Sequence, residues 1–303
     1  MRLFGFVLAL LFLSSPGFAA APQFKSVDIG HGVVLHYAEE GKGVLVVFAH
    51  GSLSDYGYWR DQVPEFAKHY RVIAYSRRYN FPNTNAPIDG YSAVTDADDL
   101  AALIKTLHLG RVYVVGHSYG ALTALFLETR HPELLRAVVL AEPPAISLLQ
   151  HISPPNTAKG HAMFADIQKN MVAQMKLAFS EGNTDIGVGI FIDYVLGDQA
   201  WRKMPADAKK DVLRDAEEWN VMLPNGTLFP EISPDAVRAI RVPTLILSGA
   251  KSYPFLALID DELAKMIPGT RNVVFPDAGH QMWYKHPREC RDLTLEFFHK
   301  HRR

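Results

Sequence analysis

The chain has 303 residues, 48% hydrophobic and 21% charged, which is enough apolar material for a large core and too much for a disordered chain. With 31 basic and 32 acidic residues its formal net charge is −1, which gives no electrostatic basis for binding nucleic acid. Its single cysteine, Cys290, excludes an intramolecular disulfide, so the fold must rest on packing.

The first 22 residues read MRLFGFVLALLFLSSPGFAAAP. One arginine precedes an apolar run over residues 3–13, then Ser14-Ser15-Pro16-Gly17 and small residues. This is the layout of a secretory signal peptide over residues 1–19, with Gly17 and Ala19 suited to the −3 and −1 positions and cleavage expected after Ala19. The run is too short to span a bilayer comfortably. The expected product is a secreted or periplasmic bacterial protein with no stable membrane insertion after cleavage; a retained N-terminal anchor is the alternative.

After this segment, KSVDIGHGVVLHYAEEG alternates polar and apolar residues around Gly30-His31-Gly32 and predicts a β-hairpin. VLVVFAH over 44–50 is a continuous buried-strand run, followed by a helix over 55–70 with an internal proline. RVIAYS predicts the next strand, and SAVTDADDLAALIKTLH a helix with Ser92 at its start and Gly110 as its stop. RVYVVG, YGALTALFLETRH and RAVVLAEPP continue as strand, helix, strand. Strands with little polar alternation, separated by helices, predict a mostly parallel, doubly wound sheet covered on both faces. From 145 to 234 no buried strand is legible, only helical patterns over 163–179 and 205–222. The rhythm resumes with RVPTLILSGA, a helix over 255–269, the strand NVVFPDAGH and a closing helix that holds Cys290 as a packing residue. The expected organisation is a core of residues 23–144 and 235–303, with 145–234 inserted as a helical cap.

The motif G-H-S-Y-G over 116–120 follows a predicted strand and opens a predicted helix. That is the context of a nucleophile elbow, in which a strained turn presents a serine, here Ser118, between small residues. A serine hydroxyl needs a base and a group that orients the base. Among 13 histidines, His280 in DAGH lies at a strand's C-terminal end, on the same sheet edge as Ser118. His286, before Pro287, reads as the start of the closing helix. His117 should point away from the serine. An oxyanion site would use the backbone N–H groups of Tyr119 and Ser52, with His50 bracing the second loop.

In the order HGS, GHSYG, helical insertion, PTLILSGA and DAGH, the chain resembles the α/β-hydrolase superfamily over essentially its whole mature length. The resemblance implies a sheet of roughly eight strands and a serine, acid, histidine triad in that chain order. The chain departs from the family at the acid. Many members carry an aspartate three residues past the glycine ending the late strand, and here that position is Ser252. A second family position, at the end of the strand after the nucleophile helix, holds Glu142, the expected acid. Its alternative role is a salt bridge to Arg77 or Arg78; Asp260 and Asp261 are alternative acids. AYSRRYNFPN over 74–83 also departs from the usual Asp-Arg-Gly segment and resembles a subgroup of bacterial α/β-hydrolases. Arg77 and Arg78 either form a structural ion pair or bind an anionic group of the substrate.

The implied activity is a serine hydrolase acting on an ester or similar acyl bond of a small molecule with an apolar part, without a cofactor. Trp201 and Trp219, with Arg77, are candidate substrate contacts; cap packing is the other role for the tryptophans. Zinc-ligand spacing and a P-loop lysine are absent from the sequence, and residue 118 is not the aspartate of dehalogenases or most epoxide hydrolases. Carbon–carbon bond hydrolysis, perhydrolysis and a binding protein with little turnover remain alternatives.

Overall fold

The computed structural model describes residues 25–302, so the expected signal peptide lies outside the described residues. The hairpin forms from β1 (Lys25–Asp28) and β2 (Val34–Gly41), with the Gly30 N–H donating to Asp28 Oδ1 at 2.7 Å in the turn. There follow β3 (Leu45–Ala49), β4 (Arg71–Tyr75), β5 (Val112–His117), β6 (Leu135–Ala141), β7 (Thr244–Gly249) and β8 (Arg271–Phe275). Together they make one eight-stranded sheet in the order β1-β2-β4-β3-β5-β6-β7-β8. β1 and β2 are antiparallel to their neighbours, and every pairing from β4 through β8 is parallel.

Strand periodicity divides the core in two. In β3, Val47 and Ala49 face one apolar layer with Leu100, Leu122 and Ile246. Val46 and Phe48 face the other, with Trp59, Phe66, Val139, Cys290 and Phe298. All five β3 side chains are buried, which is why this strand reads as unbroken apolar sequence. Burying each large aliphatic chain contributes about 1.5–3 kcal/mol, so strands of this kind anchor the sheet.

Helices α1 (Val63–Ala67), α2 (Ala93–Thr106) and α3 (Tyr119–Arg130) connect the early strands. The single helix expected over 55–70 is instead a 3-10 turn, Tyr56–Trp59, followed by α1. Pro64 lies in the first turn of α1, where a missing N–H removes no helical hydrogen bond. Between β6 and β7 run α4 (Thr157–Ile167), α5 (Ala173–Ser180), α6 (Thr184–Leu196), α7 (Ala200–Lys203), α8 (Ala206–Arg214), α9 (Glu217–Asn225) and α10 (Pro234–Arg238). The helix expected over 163–179 starts earlier and passes from α4 to α5 through a π-helical turn, Gln168–Val172. That expected over 205–222 is broken between α8 and α9, where the Asp215 carboxylate accepts the Phe81 N–H at 2.9 Å. After β7 come α11 (Pro254–Met266), α12 (Met282–Lys285) and α13 (Pro287–Lys300).

The parallel strands all end on one edge. Ala49 is in register with Gly116, His117 with Ala141, and Gly249 with Phe275. Residues following β3, β4, β5, β6, β7 and β8 therefore emerge together.

Candidate active site

β5 runs into α3 through Ser118, whose backbone sits at φ 53° and ψ −122°. A non-glycine residue there is strained by on the order of 1–3 kcal/mol. The turn is pinned by the Ser118 N–H donating to Ala141 O at 2.8 Å, and by its carbonyl accepting from Ala121 and Leu122. The flanking glycines answer to close approach. A Cβ on Gly116 would lie 2.5 Å from Gly120 O, and one on Gly120 would lie 2.3 Å from Ala49 O. Ser118 remains half-buried and reachable from solvent.

His280 follows β8. Its Nδ1 lies 2.5 Å from Glu142 Oε2, which joins the two residues singled out from opposite parts of the chain. Glu142 follows β6, is 1% exposed, and has a positive φ of 51°. Its Oε1 accepts the Gly249 N–H at 2.7 Å, and its Oε2 accepts the Ser252 hydroxyl at 2.7 Å. Ser252, at the position where many family members carry an aspartate, thus gives its hydroxyl to the Glu142 carboxylate. With Nδ1 facing a carboxylate, Nε2 is the imidazole nitrogen left to accept a proton.

His117 braces this arrangement. Its Nε2–H donates to the His280 carbonyl at 2.9 Å, its ring lies 4.6 Å from the His280 ring, and Tyr58 stacks on it at 4.9 Å. Burial, then the neighbouring His280, hold its pKa well below the usual histidine range, so it stays neutral with one N–H to give. The contact between consecutive residue 117 and His280 draws the His280 loop to the elbow.

The loop after β3 closes the other side. A Cβ on Gly51 would sit 3.1 Å from Ser118 Cβ, so residues 50–53 lie against the serine. His50 is buried, and burial together with the Arg77 charge pushes its pKa well down. Neutral, it accepts the Arg77 N–H at Nε2 (3.1 Å) and donates from Nδ1 to Gly51 O (2.8 Å). Among the described residues, neither the Ser52 N–H nor the Tyr119 N–H donates to another group.

A family model for the alpha/beta hydrolase family matches residues 46–293. The chain belongs to that family. The 2-hydroxy-6-oxo-6-(2'-aminophenyl)hexa-2,4-dienoic acid hydrolase of Metapseudomonas resinovorans is 28% identical to it over 88% of each chain. Epoxide hydrolase 3 of Mus musculus is 25% identical over 92% of this chain and 76% of its own length. Among solved structures, the N-acyl homoserine lactone degrading enzyme Est816 superposes with a TM-score of 0.63 at 26% identity, covering 90% of this chain and all of its own.

Other residues of this α/β hydrolase singled out from sequence lie as follows. Arg77 has no exposed surface; its guanidinium pairs with Asp96 at 2.9 Å and Glu218 at 2.5 Å, and Arg78 pairs with Asp99. These partners close the salt-bridge alternative for Glu142, which neither arginine reaches, and correct the substrate contact expected of Arg77, which presents no face to a substrate. Trp219 is 1% exposed, edge-on to Phe191 and Phe179, and Trp201 is packed on α6, so both tryptophans belong to the interior of the helical segment. His286 caps α13 and pairs with Asp277 and Glu289. Asp260 is buried against the Ser248 hydroxyl. Sequence reasoning gave His117 a structural role without its partner, and missed the Ser252–Glu142 bond and Glu218 altogether. Ser252 carried a signal, a serine where an acid is usual; Glu218, one of two adjacent glutamates in a helix, carried none.

Proposed function

We propose that the chain hydrolyses esters or similarly activated acyl bonds through Ser118, His280 and Glu142. The observation that carries this is the 2.5 Å approach of His280 Nδ1 to a buried carboxylate, with His280 drawn to a strained serine turn. In this reading Ser118 Oγ attacks the carbonyl carbon while His280 Nε2 takes its proton, and Glu142 stabilises the imidazolium. The carbonyl electron pair becomes an oxyanion held by the Ser52 and Tyr119 N–H groups. Collapse breaks the bond to the leaving alcohol, which takes the proton from His280. Water then attacks the acyl-enzyme, giving its proton to His280; release of the acid returns that proton to Ser118.

The Tyr253 ring lies 5.5 Å from the His280 ring and stacks on Phe255, which favours a substrate with an apolar part. The relative acting on a dienoic acid suggests carbon–carbon bond hydrolysis as a second reading. Against it, Arg77 and Arg78 are already paired with carboxylates of the chain and offer no cation to an acidic substrate. Neutral esters and lactones are therefore preferred. Fluorophosphonate labelling should give an adduct in the wild type and none in Ser118→Ala; labelling that survives the substitution sinks the reading. Turnover of p-nitrophenyl esters of graded length, with lactones and vinylogous diketo acids alongside, separates the two substrate classes. Export is proposed from residues 1–19, and an intact mass without them in a periplasmic fraction tests it.

A further inference from the structure

We infer that Glu218 is a positioning residue that sets the oxyanion loop from the helical segment; this rests on the serine-hydrolase reading above. Glu218 lies in α9, its side chain fully buried, and its Oε1 accepts the Leu53 N–H at 2.9 Å. Its Oε2 lies 2.5 Å from Arg77 Nη2, the same nitrogen that donates to Gly51 O at 3.1 Å. One carboxylate therefore holds both peptide groups that flank Ser52, one directly and one through Arg77.

The consequence for Ser52 follows from peptide geometry. In a trans peptide the carbonyl and the next N–H point in opposite directions. Gly51 O is drawn toward His50 and Arg77 by two donors, so the Ser52 N–H is aimed away from them. The next peptide is anchored at the Leu53 N–H, and Leu53 itself holds a φ of 53° that a leucine keeps only under constraint. The same helix reaches the other proposed donor's residue, since the Tyr119 hydroxyl contacts Met222 Sδ at 3.5 Å. The Ser52 donor is thus aligned only while α9 is docked on the sheet edge, and turnover is tied to the seating of the helical segment.

Glu218→Leu keeps the side-chain volume, removes both interactions, and leaves Arg77 neutralised by Asp96. Loss of an oxyanion donor lowers kcat by about 10²–10³-fold, so a misaligned one is expected to lower it by about 30- to 100-fold with KM within about threefold. Affinity for a trifluoromethyl ketone, whose hemiketal oxyanion needs the same donor, should fall by a similar factor. Glu218→Gln keeps an acceptor for the Leu53 N–H and should recover most of kcat. Glu218→Asp keeps a charge for Arg77 but draws the acceptor back from the Leu53 N–H and should also lower kcat; it decides the matter if Glu218→Leu does not fold. A folded Glu218→Leu with wild-type kcat, or a kcat loss with unchanged ketone affinity, overturns the inference while wild-type labelling at Ser118 leaves the hydrolase reading intact. Absence of labelling in the wild type removes that reading instead.

Discussion

Ser118 and Glu142 hold positive φ values of 53° and 51° at the ends of the adjacent strands β5 and β6. Each strained residue is fixed by its own N–H, to Ala141 O and Leu247 O respectively, so the sheet itself sustains both conformations. In the proposed mechanism the Glu142 carboxylate holds His280 in one tautomer and stabilises the imidazolium formed during turnover; an amide does neither equally. Glu142→Gln should therefore lower kcat by about 10³–10⁴-fold with little change in KM, measured on a p-nitrophenyl ester. Because Ser252 Oγ touches the same carboxylate oxygen as His280, Glu142→Gln combined with Ser252→Asp should recover part of that loss. No recovery would show that the late position cannot reach the imidazole in this chain.

At the scale of elements, α3 is locked to β7 by a buried carboxyl. Glu128 Oε1 lies 2.7 Å from Thr244 Oγ1, and burial pushes the Glu128 pKa up to about 8. Between its ordinary value of 4.5 and about 8, the folded chain holds a proton that the unfolded chain has released. Stability then falls as pH rises through that window, by about 2 to 3 kcal/mol between about pH 5 and 7. Urea unfolding across this range should show a flatter profile for Glu128→Gln than for the wild type. A parallel pair of profiles would refute the assignment. The elements themselves were unevenly legible. Strands with continuous β-branched runs announce themselves, whereas α6 carries Gly187 and Gly189, poor helix formers that read as a break. Those glycines exist because the rings of Phe179 and Trp201 pack where a Cβ would be, a tertiary demand that no local pattern displays.

For the molecule as a whole, the cluster around Arg77 ties three parts of the chain together: the segment after β4 through Arg77, α2 through Asp96 and α9 through Glu218. Tyr91 adds a hydroxyl to Asp96 at 2.8 Å, and the Tyr119 ring lies 4.8 Å under the guanidinium. Burial raises the Glu218 pKa, and the Arg77 charge opposes that rise. Removing the cation that both buried carboxylates face is costly. Arg77→Met should destabilise the chain by about 3–5 kcal/mol in urea unfolding at neutral pH, and adding Asp96→Asn and Glu218→Gln should restore much of it. An unchanged unfolding midpoint in the single variant would mean that the cluster contributes nothing to docking the helical segment.

Sequence by itself determined the alternation of strands and helices, the elbow around Ser118, and the position of His280 at a strand end. These are local matters: burial period, glycines at a tight turn, and the chain order of motifs. It narrowed the acid to Glu142 only by analogy and left its salt-bridge alternative open. Tertiary structure decided that alternative, because Arg77 and Arg78 are taken by Asp96, Glu218 and Asp99 from segments distant in the chain. It also decided that Trp201 and Trp219 are interior and that Glu218 reaches Leu53 across 165 residues. Periodicity says which face of a helix is buried, but not which strand end that face will meet.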